Sequence, residues 1–455
     1  MKWQDGKPIT CEDLKYGASR VFANDVLTGG PSYLLAYLDI PTAPDGSPTY
    51  KPVHQGRPGR LRQGGHLRRQ DDHLPLQGAV AGLPVRHRLA PHDGPLPAGP
   101  GQGQRVQLLH LLQRPVHAAG TWDENKGGTL VRNPNYDPST DSKEIRQALP
   151  DKIVMDIGKT PETIADLLIQ DSPEAQAAIT RNRIQPQYIA QASGLGDRYE
   201  NVNTPYVDYL VPNVKRLSLP VRQALAESTD INGWITAGGG EKFYKPADSI
   251  VSPTVPGYQA LDQFKNMGAG DPAKAKATLQ AAGVKMPYPI TFTFDGSSQT
   301  GQKQAAALKE TWDKAGFNVT LNPLVDAYYP TIQDPNSKSD ITWAGWGADW
   351  PSAITVTPPL FDSRVNLTKS SNNSDYGNYK SDAFNKLVDQ ARSSASLQDQ
   401  TKYLQQADEV LGKDYAYIPL EQSLFNWVHG SKITGFEVTP SSNGYPDLGA
   451  IGVKQ

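Results

Sequence analysis

From residue 271 onward the apolar positions alternate between helical and extended spacing. Asp271 as N-cap, Pro272 at N1, the row Ala275, Leu279, Ala282 and the stop at Gly283 predict a helix. Ile290-Thr291-Phe292-Thr293-Phe294 alternates with period two and predicts a strand. A helix is expected over Gln302 to Ala315, burying Ala306, Leu308, Trp312 and Ala315, with Gly316 at C′. Val319-Thr320-Leu321 is the next strand. Ser381 caps a helix with Phe384, Leu387, Val388 and Ala391 on one face. Ser396 caps another, with Asp399 at N3 and Leu397, Leu404, Ala407 and Leu411 inside. Tyr415 to Leu420 reads as a final long strand. Strands and helices in this alternation predict parallel pairing through right-handed crossovers.

The earlier part of the chain carries similar signals. Thr10, with Asp13 at N3, caps a helix holding Leu14, Ala18, Val21 and Phe22. Gly127-Gly128 is expected as a turn and Thr129–Arg132 as a short strand. Asn133 to Pro138 is a turn cluster. Asp151 to Ile157 alternates as a strand, and Thr160 with Pro161 opens a helix carrying Ile164, Leu167 and Leu168. Tyr206–Val211 is a strong strand inside 202–212, leading into a helix at Leu219 to Ala226. Gly238-Gly239-Gly240-Glu241-Lys242 lacks the order of a phosphate loop and reads as a turn. The tail from Thr439 to Gln455 shows no strong period.

One stretch concentrates candidate chemistry. Ser339 to Pro351 sets three tryptophans around one carboxylate, Asp349. Asp340-Ile341-Thr342-Trp343 reads as a strand. Gly345, Gly347 and Pro351 are expected to break the ladder, so that the chain leaves the sheet there. A carboxylate just past a strand end and flanked by indoles suits a ligand anchor, because open α/β sheets bind ligands outside the carboxyl ends of their strands. The alternative from this stretch alone is that the tryptophans are core and Asp349 is a turn or cap residue.

Composition changes abruptly between His54 and His117. Lys, Glu, Ser, Thr, Asn, Ile, Phe, Tyr and Trp are absent there, while seven of the eight histidines lie there. Nine Arg and three Asp make it locally basic. A disordered partner-binding insert would be rich in Ser, Glu and Lys. A metal tract would show recurrent ligand spacing, which the histidines lack. The composition matches out-of-frame translation of a GC-rich gene. Residues 54–117 are therefore read as a frameshifted segment that forms no ordered face.

Length admits two or three domains. The formal charge of -2 gives no footprint for nucleic acid, the single cysteine, Cys11, excludes an internal disulfide, and no apolar run is long enough to span a membrane. No apolar region follows Lys2, so the first residues do not read as a signal peptide. No Gly-x-Ser-x-Gly or His-Glu-x-x-His motif is present, and outside 54–117 only His429 could serve as a general base. No enzyme, no cofactor and no metal site are expected.

Several stretches together resemble the solute-binding proteins of peptide-type ABC importers, the oligopeptide/dipeptide/nickel-binding family. Trp3 to Thr10 with Glu12 to Gly17 is similar to its early DG-x-P signature. Arg132-Asn133-Pro134-Asn135-Tyr136 is similar to its RNPNY segment and Val221-Arg222-Gln223-Ala224-Leu225 to its VRQA helix. Trp346-Gly347-Ala348-Asp349 is similar to its GW-x-AD segment, followed by Asn378-Tyr379-Lys380-Ser381, and Ile418-Pro419-Leu420 is similar to its IPL strand. The resemblance covers 1–50 and 121–455. It leaves 54–117 without a counterpart and lacks the GPY turn expected before Thr121, both in keeping with a frameshift.

The resemblance implies a two-lobed α/β binding-protein fold (class II, cluster C) with mixed sheets, hinged on two crossing strands, for which Tyr206–Val211 and Tyr417–Phe425 are the candidates. Residues 1–212 plus 416–455 would form the first lobe and 213–415 the second. It implies a monomeric extracytoplasmic protein, a periplasmic or cell-surface lipoprotein, that captures an oligopeptide or other small solute for ABC permease subunits. Met1 is then expected to be an internal start, with the signal and lipobox absent from this chain; Cys11 follows no apolar run and is not the lipobox cysteine. In peptide-binding relatives the aspartate of the GW-x-AD segment pairs with the ligand's α-amino group; here that position is Asp349. Trp346 and Trp350 would wall the cleft, Gly347 and Ala348 would line it, and Trp343 stays with the core. Sugars, metal chelates and peptide signals are the alternative ligands.

Overall fold

The computed structural model describes residues 7, 8, 10 and 33, and residues 116–455 except 143, 145, 370, 440 and 441. The helix expected after Thr10 and the stretch 54–115 lie outside the described residues. Val116 and His117 open β1 (Val116–Asp123), which pairs antiparallel with β2 (Gly127–Arg132), and β2 pairs with β3 (Lys152–Asp156). Gly127 and Gly128, expected as a turn, are the first residues of β2; Gly127 lies opposite both Asp123 and Asp156. Helix α1 (Pro161–Ile169) starts as read, with the Thr160 hydroxyl accepting from the Thr163 N–H at 3.2 Å.

Two long strands come next in importance. β4 (Tyr199–Pro212) and a later partner pair antiparallel along most of their length. After β4 come α2 (Leu219–Glu227), α3 (Ile231–Gly238) and the short β5 (Tyr244–Pro246). Helix α3 was missed in the pattern, although Asp230 caps it and Ile231, Trp234 and Ile235 form its buried face. Then α4 (Pro272–Ala281), β6 (Tyr288–Asp295), α5 (Gln299–Lys314) and β7 (Phe317–Leu324) follow. β6 and β7 are parallel in direct succession, as β–α–β order requires. β8 (Ile341–Gly347) is parallel to β6 but antiparallel to β4. Helices α6 (Asp382–Ser393) and α7 (Leu397–Lys413) precede β9 (Ile418–Val428), the antiparallel partner of β4. Two-residue strands β10 (Ile433–Thr434) and β11 (Gly452–Val453) pair near the C-terminus. The principal sheet runs β5-β9-β4-β8-β6-β7.

Three local readings are corrected. Ala306 faces solvent, and Ala305 is buried in its place: the buried row of α5 is Gly301, Gln304, Ala305, Leu308 and Trp312, and Ala306 sits about 100° off it. Leu397 is 60% exposed, because N1 of α7 projects before the helix reaches the core. The last long strand begins at Ile418 rather than Tyr415; Tyr415 takes φ +44° as α7 ends, and the Ala416 N–H closes back on the Leu411 carbonyl at 3.0 Å.

Apolar burial is divided. The large core takes Tyr209, Trp234, Phe292, Trp312, Phe361, Phe384 and Tyr417, and extends from β4 to Leu420. A smaller core holds Ala165, Leu168, Ala175, Ile184, Ala192 and Val428. β4 and β9 run between the two: Tyr209 and Ile418 lie in the large core, while Tyr199 and Val428 pack in the small one. No described helix is long and apolar enough to cross a membrane.

Candidate functional site

The sequence around Asp349 folds differently from the expected strand break. Gly345 and Gly347 remain in β8, paired with Asp208 and Tyr206 of β4. The missing side chains are what the packing needs. A Cβ on Gly345 would lie 2.5 Å from Asp208 Oδ1, and one on Gly347 would lie 2.4 Å from the Tyr206 ring. The glycines admit neighbouring side chains over the strand rather than ending it. The chain leaves the sheet only after Gly347.

Beyond β8, Asp349 is held by a tight loop. Its N–H donates to Thr355 Oγ1 at 3.1 Å, and the Trp346 Nε1–H donates to the Thr355 carbonyl at 2.8 Å. Thr355, fully buried, also donates from its hydroxyl to the Ser352 carbonyl at 3.0 Å. The Asp349 carboxylate itself is exposed, between half-buried Trp346 and Trp350. It accepts a hydrogen bond from the Tyr33 hydroxyl. The Tyr33 ring lies 4.9 Å from that of Trp350, tilted by 51°. The Trp350 indole N–H is buried and has no partner among the described residues. Ala348 is 2% exposed and packs in the large core, so what it can offer at this loop is its backbone. Nothing in the sequence pattern pointed to Tyr33, which reaches this loop from more than three hundred residues away.

A second group gathers around β4 and β9. Tyr206 stacks on Phe425 at 5.5 Å. The Arg183 guanidinium sits 4.5 Å above the Phe425 ring, and that of Arg181 5.0 Å above Tyr445. Burial raises the Tyr206 hydroxyl, and it feels Asp349 as a negative neighbour and Arg181 and Arg183 as positive ones. Tyr206 therefore feels both an anionic group and a cationic pair.

Further along β4, Asp208 lies opposite Glu421 of β9. Trp343 Nε1–H donates to Asp208 Oδ2 at 3.0 Å, and Trp234 Nε1–H to Glu421 Oε2 at 3.0 Å. The two indoles meet edge to face at 4.7 Å. Trp343, expected as core, is half-buried and packs against the core while serving this carboxylate. Burial pushes Asp208 up to about 6, and it pushes Glu421 well above the usual range, with the Asp208 charge adding to the rise. Sequence carried a signal for Asp208 alone, an acid inside the apolar run Tyr206–Val211, where a charge is unfavourable without a role; Glu421 is followed by Gln422 and Ser423 and does not stand out, and nothing local joins the two.

His429 is not available as a base. Its Nδ1 and Nε2 face the carbonyls of Gly430 and Asp197, at 2.9 and 3.0 Å, and the ring packs on Phe436. Carbonyls only accept, so the neutral ring donates to one of the two, and the contacts with Phe436 and both backbone segments hold it in structure.

Comparison with known proteins follows the same lines. The chain is 23% identical over 433 residues to the periplasmic oligopeptide-binding protein OppA of Salmonella typhimurium, covering 92% of this chain and 74% of that protein. It is 26% identical over 242 residues to the probable D,D-dipeptide-binding periplasmic protein DdpA of Escherichia coli, covering 51% and 44%. Among solved structures, clavulanic acid biosynthesis oligopeptide binding protein 2 superposes with a TM-score of 0.80 at 22% identity, over all of this chain and 82% of that one. Haemophilus influenzae OppA in complex with RPPGFSPFR gives a TM-score of 0.67 at 17% identity, over 99% and 85%. These likenesses show the two-lobed binding-protein fold with mixed sheets. The family model for bacterial extracellular solute-binding proteins, family 5 Middle, matches residues 119–367, more than half of the chain, and the protein belongs to that family.

Proposed function

We propose that this protein captures a peptide-like solute between its lobes and delivers it to the membrane subunits of an ABC importer. The observation that carries the reading is the exposed Asp349 carboxylate, presented past the carboxyl end of β8 between two indoles. A peptide α-ammonium placed there makes a charge-assisted hydrogen bond, about twice as strong as a neutral one once the closing cleft excludes water. The Tyr33 hydroxyl orients the carboxylate, Trp346 and Trp350 wall the site, and the backbone of Gly347 and Ala348 lines it. Arg183, over the Phe425 ring that stacks on Tyr206, and Arg181, over Tyr445, suit the carboxylate end of a zwitterion. We place the lobes at 1–212 with 416–455 and at 213–415, with β4 and β9 as the hinge. The protein acts outside the cytoplasm as a monomer, in the periplasm or at the cell surface as a lipoprotein. Residues 54–117 are a frameshifted segment, and the DNA decides this: compensating single-base changes near its two ends must restore a normal-looking frame.

The test is calorimetric titration with Ala-Ala-Ala and its N-acetyl form. Asp349→Ala weakens the free-amine peptide by about 1.5–3 kcal/mol, the range for a hydrogen bond to a charged group. It leaves the ligand-free melting temperature in place. Equal affinity for wild type and variant removes Asp349 from the site. Binding of the acetylated peptide as tight as that of the free amine points to a non-peptide solute such as a sugar or metal chelate.

A further inference from the structure

The two strands that join the cores meet in regular pairing at only a short place beside Asp208. Val207 opposes Gln422 and Asp208 opposes Glu421, and the register shifts on either side of this two-residue segment. Bulges re-aim side chains, and residues directly opposite on one face bring their Cβ atoms within about 5 Å. Two carboxylates are thereby set against each other inside the protein. Glu421 is 0% exposed, and its Oε1 has no hydrogen-bond partner among the described residues. Asp208 is half-buried and forms the accessible edge. No ion pair reaches either acid among the described residues; Asp208 feels the charge of Arg183, which is engaged over Phe425. The other titratable groups that feel the pair are the hydroxyls of Tyr209, Tyr244 and Tyr328. The walls are the Trp343 and Trp234 indoles, whose N–H groups already face the acids.

We propose that Asp208 and Glu421 form a subsite for a cationic side chain of the bound solute, a lysine ammonium or an arginine guanidinium. The chemistry is complementary on each count. The orphaned Glu421 oxygen needs a donor, and two anions in one place need a cation. Gly345 leaves the room over β8 that the Asp208 carboxylate occupies. Without a ligand Glu421 keeps its proton, since burial and the facing Asp208 charge both oppose its ionisation. An entering cation takes the place of that proton, which passes to solvent. The inference rests on the peptide-binding reading for its natural ligand, but the subsite can be probed without a peptide.

The experiment is calorimetry at pH 7.5 in two buffers of different ionisation enthalpy. Ala-Ala-Ala is compared with Lys-Ala-Ala, Ala-Lys-Ala and Ala-Ala-Lys, and agmatine is titrated separately. One basic tripeptide is expected to bind at least about tenfold tighter than Ala-Ala-Ala, about 1.4 kcal/mol, and to release close to one more proton. In Asp208→Asn/Glu421→Gln that ratio falls toward one and the extra proton is lost. The proton count on wild type needs no variant, so a misfolded variant does not leave the question open. Equal affinities and equal proton release across the tripeptides overturn the subsite, as does a preference that survives the double substitution. If no tripeptide binds, the peptide reading fails by itself. Agmatine then decides the subsite: proton-coupled binding to wild type that is lost in the variant sustains it, and absence of such binding overturns it.

Discussion

Asp362 and Glu421 are both carboxylates with 0% exposure, and the protein treats them in opposite ways. Asp362 takes Arg364 Nε and Nη2 on its two oxygens, each at 2.9 Å, and Arg392 Nη1 at 3.1 Å. Its Oδ1 also accepts the Arg364 N–H at 3.1 Å, capping a helical turn. The charge is fully answered, and Asp362 in return holds the Arg364 guanidinium protonated far above the ordinary range. Glu421 receives one indole N–H and faces a second acid. Burying an ion costs several kcal/mol unless partners offset it. A fold that supplies two arginines to one buried acid and none to another marks the first as structure. The second is under strain that a ligand can relieve.

The largest expected effect breaks the structural side of this contrast. Asp362→Ala leaves Arg392 in a partly buried site without its carboxylate and should cost about 3–5 kcal/mol, read from urea midpoints. A loss below 1 kcal/mol would mean that the arginines find other partners and that the contrast is not one of compensation. Next comes Trp234→Phe, which removes the donor to Glu421 Oε2 while keeping most of the apolar bulk. A loss of about 1–3 kcal/mol is expected for the unsatisfied carboxylate. A wild-type midpoint would show that the indole contributes nothing to holding Glu421.

The smallest effect is the sharpest probe of the pair. Asp208 has a folded value of about 6 and Glu421 a value raised well above the usual range. Both therefore favour the protonated form on folding. Their stabilising contribution is complete below about pH 4, near the unfolded carboxylate value, and Asp208's share is lost as pH rises through about 6. The loss from Glu421 extends to higher pH. Asp208→Asn/Glu421→Gln carries no such dependence, so its stability relative to wild type should increase with pH from 4 to above 6. Urea unfolding of both proteins across this window checks it. A constant difference would mean that neither acid is perturbed by folding. Asp375 and Asp408, also raised by burial, titrate alike in both proteins and drop out of the difference.

What was legible in the sequence follows the range of the forces involved. Thr160, Asp271, Ser381 and Ser396 cap their helices because the capping bond closes within three residues. Phe292 and Phe294 were readable as buried from alternation alone. Gly345 and Gly347 were misread because their reason lies across the sheet, in the side chains of Asp208 and Tyr206. Ala306 was placed inside on a stripe whose true phase is set by Trp312, packed on Phe292 and donating to Thr229 Oγ1. Of the candidate site, Asp349 and its two tryptophans stood out because they are neighbours in sequence. Tyr33, Arg181, Arg183 and the Asp208–Glu421 pair did not, because each is joined to its partners by register or by distant packing.

The sequence alone determined the capped helices and the alternating strands from residue 271 onward, the parallel unit around β6 and β7, and the position of a carboxylate past the end of β8. These depend on local caps, on periodicity and on connection length, all written along the chain. Only the tertiary structure decided that β4 and β9 lie side by side between two cores, with their acids in register. That juxtaposition depends on pairing between residues more than two hundred positions apart, and on bulges whose phase no local pattern carries. The charge state of such a pair follows from how much water and how many donors the surrounding fold leaves it.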